Sequence, residues 1–384
     1  MPSLELPGNP NFSSGPCAKR PGWKISVLNK ALVGRSHRSK ESVKKIQKIL
    51  TELRSILVIP KDYEVALVGG SDTGAFEMAM WNLLGYKSVE VLAWESFGKD
   101  WILDIVEQLK IKDAKLIQSD YGQLPDLKNI NFENDVVFTW NGTTSGVKVP
   151  NGNWIPDTRK GLTLCDATSA VLAMSLPWKK LDVVTFSWQK VLGGEAQHGI
   201  LVMSKRAIDR LKIYNPPWPI PKLFRITKKG KLQKKIFQGN TINTPSLICI
   251  EDAIDALNWV KKIGGLNEMI NRSINNLKII EIWVSNTKWI DFVAEKKETR
   301  SSTSICLKIV DPWFKSLSNE DKITIIQFIS ENLAKNKVAY DINSYPSAPS
   351  GIRIWGGGTI EKKNIKLLLP WLDWVWQKVK IKYT

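Results

Sequence analysis

The chain has 384 residues, 43% hydrophobic and 24% charged, which excludes a disordered polymer and is too long for one small core, so two domains are expected. Its 55 Lys and Arg against 37 Asp and Glu leave a net charge of +18, spread along the chain rather than gathered in one stripe, which argues against a nucleic-acid-binding protein. No window approaches the ~20 apolar residues of a membrane span, Met1-Pro2-Ser3-Leu4-Glu5 does not open a secretory signal, Cys17, Cys165, Cys249 and Cys306 form no CxxC pair, and His37 and His198 are too few for a His-based metal site. The expectation is a cytoplasmic protein with no metal, no membrane and no nucleic-acid partner.

In chain order, Glu64–Val68 reads as a strand ending in Gly69-Gly70. Phe76, Met80, Leu83 and Leu84 then fall on one helical face from Gly74 to Leu84, with Gly85 as cap. Val89–Ala93 is the next strand and Trp101–Leu109 the next helix. Lys115–Ile117, Asp135–Thr139, Leu162–Cys165, Asp182–Phe186 and Gly199–Met203 follow as strands. Their runs are apolar on both faces, as expected of mainly parallel strands covered by helices, so this region reads as α/β. The basic run Lys228-Lys229-Gly230-Lys231 reads as a solvated hairpin tip.

A helix from Asp252 to Lys262 stops at Gly264-Gly265. Beyond it come an amphipathic segment (266–284), a strand at 303–310 and a helix opened by Ser318-x-x-Asp321. Strands near Val338 and at Gly351–Trp355 follow, then a last helix from Glu361 to Lys380, which Pro370 should kink or break. The domain reading is a large α/β domain over 16–258 and a smaller α+β domain over 259–384, with the segment 1–15 packing on the latter.

Three segments carry chemistry, each just after a strand. Gly69-Gly70-Ser71-Asp72-Thr73-Gly74 opens a helix, whose first-turn amides and hydroxyls suit a phosphate. It matches neither GxGxxG nor GxxxxGK[ST], and by itself it is equally a strand-to-helix turn capped by Asp72 or Thr73. Cys165-Asp166 puts a carboxylate at the carboxyl end of a strand, where it can keep a pyridine nitrogen protonated. Ser187-Trp188-Gln189-Lys190 delivers a lysine to the same edge, and burial there favours the neutral amine that a Schiff base requires. A phosphate loop, an acid and a lysine in that order are what a phosphorylated pyridine aldehyde needs.

The sequence also resembles the phosphoserine aminotransferases, class V of the fold-type I enzymes that use pyridoxal 5'-phosphate (PLP). The resemblance runs over nearly the whole chain. It is carried by Asn11–Pro16, Arg35-Ser36-His37-Arg38-Ser39, Thr143 with Gly146, Ser187–Lys190, Asn243-Thr244-Pro245 and Gly351-Ile352-Arg353-Ile354-Trp355. It implies a Schiff base at Lys190, which also moves the proton between substrate Cα and cofactor, and Asp166 on the ring nitrogen. Thr143 and Gln189 contact the cofactor. Asp72 and Thr73 form its phosphate cup, joined by Asn243 and Thr244 of a homodimer partner. Arg353 holds the substrate α-carboxylate, and His37 and Arg38 hold the distal anion.

Two departures stand out. Phe97 occupies the place where many members stack a Trp on the ring, and Asp72-Thr73 stands where many have Arg. The implied reaction is reversible ping-pong transfer of an amino group between glutamate and 3-phosphohydroxypyruvate, giving O-phospho-L-serine and 2-oxoglutarate in serine biosynthesis. The resemblance extends to 4-phosphohydroxythreonine in pyridoxine biosynthesis. The alternatives are another class V enzyme, such as an alanine–glyoxylate aminotransferase or a cysteine desulfurase, and, more distantly, a basic nucleic-acid-binding protein. No cysteine suits the desulfurase, and the distal-anion pair favours a dianionic substrate over alanine. The 17 Trp residues read as packing.

Overall fold

In the computed structural model, which describes residues 4–228 and 230–384, the apolar runs fall where the alternation of strand and helix puts them. Seven strands, Glu64–Gly69 (β1), Val89–Ala93 (β2), Lys115–Gln118 (β3), Asp135–Thr139 (β4), Thr163–Asp166 (β5), Val183–Ser187 (β6) and His198–Met203 (β7), form one sheet. Their order is β1-β7-β6-β5-β4-β2-β3. Only β7 runs antiparallel to its neighbours, so β1, β2, β4, β5 and β6 all end at the same edge. Strands β2, β4, β5, β6 and β7 are buried throughout, because helices cover both faces. Edge strand β3 is largely exposed, a departure from the expected two-sided burial, since its outer side has no neighbour.

Helices Lys40–Ile56 (α1), Ser71–Leu83 (α2), Ser96–Leu103 (α3) and Lys205–Ile213 (α4) belong to this layer, and Leu247–Ile263 (α5) packs on α1. Helix α2 starts three residues before Gly74, so Asp72 and Thr73 lie inside its first turn rather than capping it. The N-cap is Gly70, at φ +84°, a conformation that glycine adopts freely. Helix α3 likewise begins at Ser96, ahead of the expected Trp101, and passes into a π turn over Asp104–Gln108. The basic run flanks a short hairpin, Thr227–Lys228 (β8) with Lys231–Leu232 (β9). Lys229 and Met1–Ser3 lie outside the described residues.

The chain then forms α6 (Gly265–Ser285), a three-stranded antiparallel sheet of Ile290–Phe292 (β10), Ser304–Ile309 (β11) and Gly351–Trp355 (β12), and helices Pro312–Ser316 (α7), Asn319–Lys335 (α8) and Lys362–Tyr383 (α9). No strand forms near Val338. Val338 and Ala339 are buried in the turn after α8, and Tyr340 makes a single bridge to Asn11. Nor does Pro370 break the last helix, for Pro370 and Lys366 both lie on its exposed face, where water can satisfy the carbonyl that proline leaves free. The tryptophans do pack: Trp289 stacks on Trp376 at 4.8 Å, and the indoles of Trp283 and Trp289 both donate to Asp373.

The strand that leads to Lys190 is anchored at its start by Asp182, fully buried. Asp182 accepts from Arg159 Nε at 3.1 Å, Arg206 Nη1 at 2.8 Å, Ser204 Oγ at 3.0 Å and the Thr163 amide at 3.1 Å. Asp182→Ala would leave the buried Arg159 guanidinium uncompensated. It is expected to destabilise the protein by about 3–5 kcal/mol, read as a fall in denaturant midpoint.

Candidate active site

Five strands deliver their following residues to one edge of the sheet, the position where open α/β sheets bind ligands. A cavity of about 240 Å³ lies there, lined by Asp72 and Thr73 after β1, Phe97 after β2, Thr143 after β4, Asp166 ending β5, and Gln189 and Lys190 after β6. These seven expected residues are brought together from 119 positions of sequence.

Lys190 sits in a tight turn. The Gly193 amide donates to the Lys190 carbonyl at 3.0 Å and the Gly194 amide to the Trp188 carbonyl at 2.9 Å. Gly193 has φ +69°, and a Cβ there would lie 2.4 Å from the Ala18 carbonyl, so the turn needs glycine. Lys190 Nζ donates to the Ser14 carbonyl, and the Cys17 amide bonds the Gln189 carbonyl at 2.8 Å. Burial lowers the Lys190 pKa, and the nearby Arg353 charge lowers it further, against the pull of Cys17, Asp166 and Glu95.

Asp166 is 7% exposed. It accepts from the Thr168 amide at 3.0 Å and from Trp101 Nε1 at 3.3 Å. Trp101 lines the cavity as well and was not among the expected site residues. Its signal was available, since it stands four residues after Phe97 and so shares a helical face with it. Asn141 was also missed, although it opens the segment that contains Thr143. Its amide donates to Ser169 Oγ at 2.8 Å and to Thr303 Oγ1 at 3.2 Å, and Thr143 Oγ1 donates to the same Ser169 at 2.9 Å. Glu95 locks this loop to α3, accepting from the Gly98 amide and from both the amide and hydroxyl of Thr144, and burial pushes its pKa up to about 7.

Other expected residues lie elsewhere. Arg38, Asn243 and Thr244 line a second cleft with Lys222, Leu223 and Ile242, sharing no residue with the Lys190 cavity. His37 is half-buried beside Arg38 and lines neither cleft. Arg353 is central in β12, opposite Cys306, with its guanidinium 6.0 Å from the Tyr345 ring and its buried Nε without a partner.

The cavity fits a polar, phosphorylated ring. Asp72 Oδ1, Thr139 Oγ1, Asn141 Oδ1, Thr168 Oγ1, Ser187 Oγ and Gln189 Oε1 all line it, buried and without a hydrogen-bond partner in the protein. Such atoms normally have one. The first turn of α2 adds backbone amides that no intrahelical acceptor satisfies. Among the described residues, no group of three His, Cys, Asp or Glu side chains converges to hold a metal ion, and no helix is long and apolar enough to cross a membrane.

No family model matches the chain. A phosphoserine aminotransferase of Methanosarcina mazei is 55% identical over 380 residues, covering 99% of this chain and all of that protein, and one of Methanosarcina barkeri is 54% identical over the same length. The chain belongs to the phosphoserine aminotransferase family. It is a PLP-dependent transaminase of fold type I. Solved structures agree on the fold: a phosphoserine aminotransferase of Cytophaga hutchinsonii has a TM-score of 0.80 at 21% identity, covering 98% of this chain and all of that one. A pyridoxamine–pyruvate aminotransferase of Mesorhizobium loti also reaches 0.80, at 16% identity, over 99% of this chain and 94% of that one. The fold is therefore shared across activities, and the 55% identity decides the family.

Proposed function

We propose that the Lys190 cavity carries out the family's reaction with the residues that line it, completed by a second copy of the chain. The reaction is reversible transfer of an amino group between glutamate and 3-phosphohydroxypyruvate, giving O-phospho-L-serine and 2-oxoglutarate in serine biosynthesis. The observation that carries this reading is the convergence of Lys190, Asp166, Thr143 and the first turn of α2 on one cavity with unpartnered polar atoms.

When bound, PLP supplies an electron sink for the pair of electrons left as the Cα proton departs. Asp166 would pair with the ring nitrogen and keep it protonated. Lys190 would hold the cofactor covalently and, once the substrate amine has displaced it, its free amine would move the proton from Cα to the cofactor, a task suited to an amine whose charged form burial disfavours. The amides of Asp72 and Thr73 and the Thr73 hydroxyl hold the phosphate. Gln189 and Thr143 would contact the cofactor, and Phe97 would pack on its ring. Arg353 grips the α-carboxylate of either substrate, while His37 and Arg38 grip the distal phosphate or carboxylate. Because both substrates leave and enter by the same grips, the exchange is ping-pong.

We further propose a cytoplasmic homodimer with shared sites, activity on 4-phosphohydroxythreonine in pyridoxine biosynthesis, and division into domains at 16–258 and 259–384. The first is supported by the cleft of Arg38, Asn243 and Thr244, which shares no lining residue with the Lys190 cavity of the same chain. For the last, the Gly8 amide bonds Asn364 Oδ1 at 2.9 Å and the Trp355 amide bonds the Phe12 carbonyl at 2.9 Å, tying the N-terminal segment to the C-terminal elements. The boundary itself falls inside the continuous helix α5.

The test is complementation. Arg38→Ala is expected to lower kcat/KM for 3-phosphohydroxypyruvate about 10²-fold, the loss of a charge-assisted pair. Mixed with inactive Lys190→Ala and refolded together, it should regain activity, since each mixed dimer would hold one intact site of its two. No recovery in mixed dimers would show that the sites are not shared.

A further inference from the structure

We propose that Asp72 is a positioning residue, a neutral carboxylic acid that donates a hydrogen bond to Asp166 and so holds Asp166 as the carboxylate facing the cofactor ring. The inference rests on the reading of Asp166 as partner of the ring nitrogen. It gives the Asp72 side chain a task distinct from that of its backbone amide.

Asp72 is the second residue of α2 and is 6% exposed, lining the same cavity as Asp166. Its side chain lies among Asp166, Thr168 and Thr185, and Thr185 is the register partner of Asp166 on β6. Asp72 Oδ1 and the hydroxyls of Thr168 and Thr185 are buried without partners. Among the described residues no Lys, Arg or His forms an ion pair with either carboxyl.

Two adjacent carboxylates in a dry site cannot both stay charged, so the pair keeps one proton. Which one keeps it follows from their neighbours. Lys190 and Asp166 attract one another, and Asp166 also accepts from Trp101 and the Thr168 amide. At Asp72, burial and then the Asp166 charge push the pKa well above the ordinary Asp value, outweighing the Thr185 and Thr168 hydroxyls that act to lower it. The α2 dipole favours a charge at Asp72, but far less than burial and repulsion oppose it. An ionised Asp72 would also repel the phosphate that the first turn of α2 is suited to hold. The remaining titratable groups nearby are Cys165, beside Asp166 on β5, and Glu95, which acts on Asp166 from the start of α3.

The experiment compares wild type with Asp72→Asn and Asp72→Val, first without cofactor. A carboxyl protonated when folded and ionised when unfolded gives stability that is lost as pH rises above about 4. Wild type should therefore fall behind Asp72→Asn between pH 5 and 8, by roughly 1–2 °C in Tm per pH unit. A constant gap would mean that Asp72 is ionised and would overturn the proposal. Next, PLP titration should show about tenfold weaker binding by Asp72→Val, with most of that loss recovered in Asp72→Asn, whose amide can still donate. Equal binding by all three would also overturn it. If the valine variant does not fold, Asp72→Ala, which cannot donate either, takes its place in the PLP comparison. Asp166→Asn separates the two readings: undiminished PLP binding there would remove the role of Asp166, while the pH-dependent gap would still report the shared proton.

Discussion

Lys190→Ala is expected to remove the absorbance at about 400 nm that a lysine-linked cofactor gives and to slow amino transfer by about 10⁴-fold or more. The size follows from two tasks carried by one amine. It holds the cofactor, and it moves the proton at substrate Cα. Its neighbours cannot substitute, because among the described residues that line the cavity no other is a lysine, and Gln189 has no titratable group. The measurement is a spectrum with and without glutamate, beside single-turnover kinetics. A variant that keeps the band and its response to glutamate would place the link on another lysine.

Arg353→Lys should lower kcat/KM about 10²-fold for both half-reactions alike, the loss of one arm of a bidentate, charge-assisted grip. The equality is the informative part. Glutamate and phosphoserine share an α-carboxylate but differ at the distal end, so Arg353 should not discriminate between them. Arg38, which faces the distal group in this reading, should. The unpartnered buried Nε of Arg353 and its place 6.0 Å from the Tyr345 ring fit a cation held ready for a ligand. A loss confined to one half-reaction would assign Arg353 to the distal anion instead.

Much of the architecture was legible because apolar strands covered on both faces and amphipathic helices announce themselves locally. Readings failed where a tertiary neighbour overruled a local rule. Pro370 sits in an unbroken helix because the Lys366 carbonyl that it leaves free lies on the exposed face, and the residues near Val338 are apolar because they are buried in a turn, not paired in a sheet. Trp101 was passed over because one chain position does not tell which helical face meets the sheet edge; only the packing of α3 turns its indole to Asp166.

The sequence by itself pointed to the family, to most strands and helices of the large domain, and to a candidate lysine and acid, since each of those rests on local pattern or on motifs in order. The tertiary structure alone decided that five strands end at one edge and gather Asp72, Phe97, Thr143, Asp166 and Lys190 around a single cavity. It also placed Arg38, Asn243 and Thr244 on a second cleft, with the Asn243 side chain against Gly69, and set Asp72 beside Asp166. The reason is physical: spacing along the chain reports which side of a strand or helix a residue occupies, but a buried carboxyl's charge depends on what another strand brings within reach.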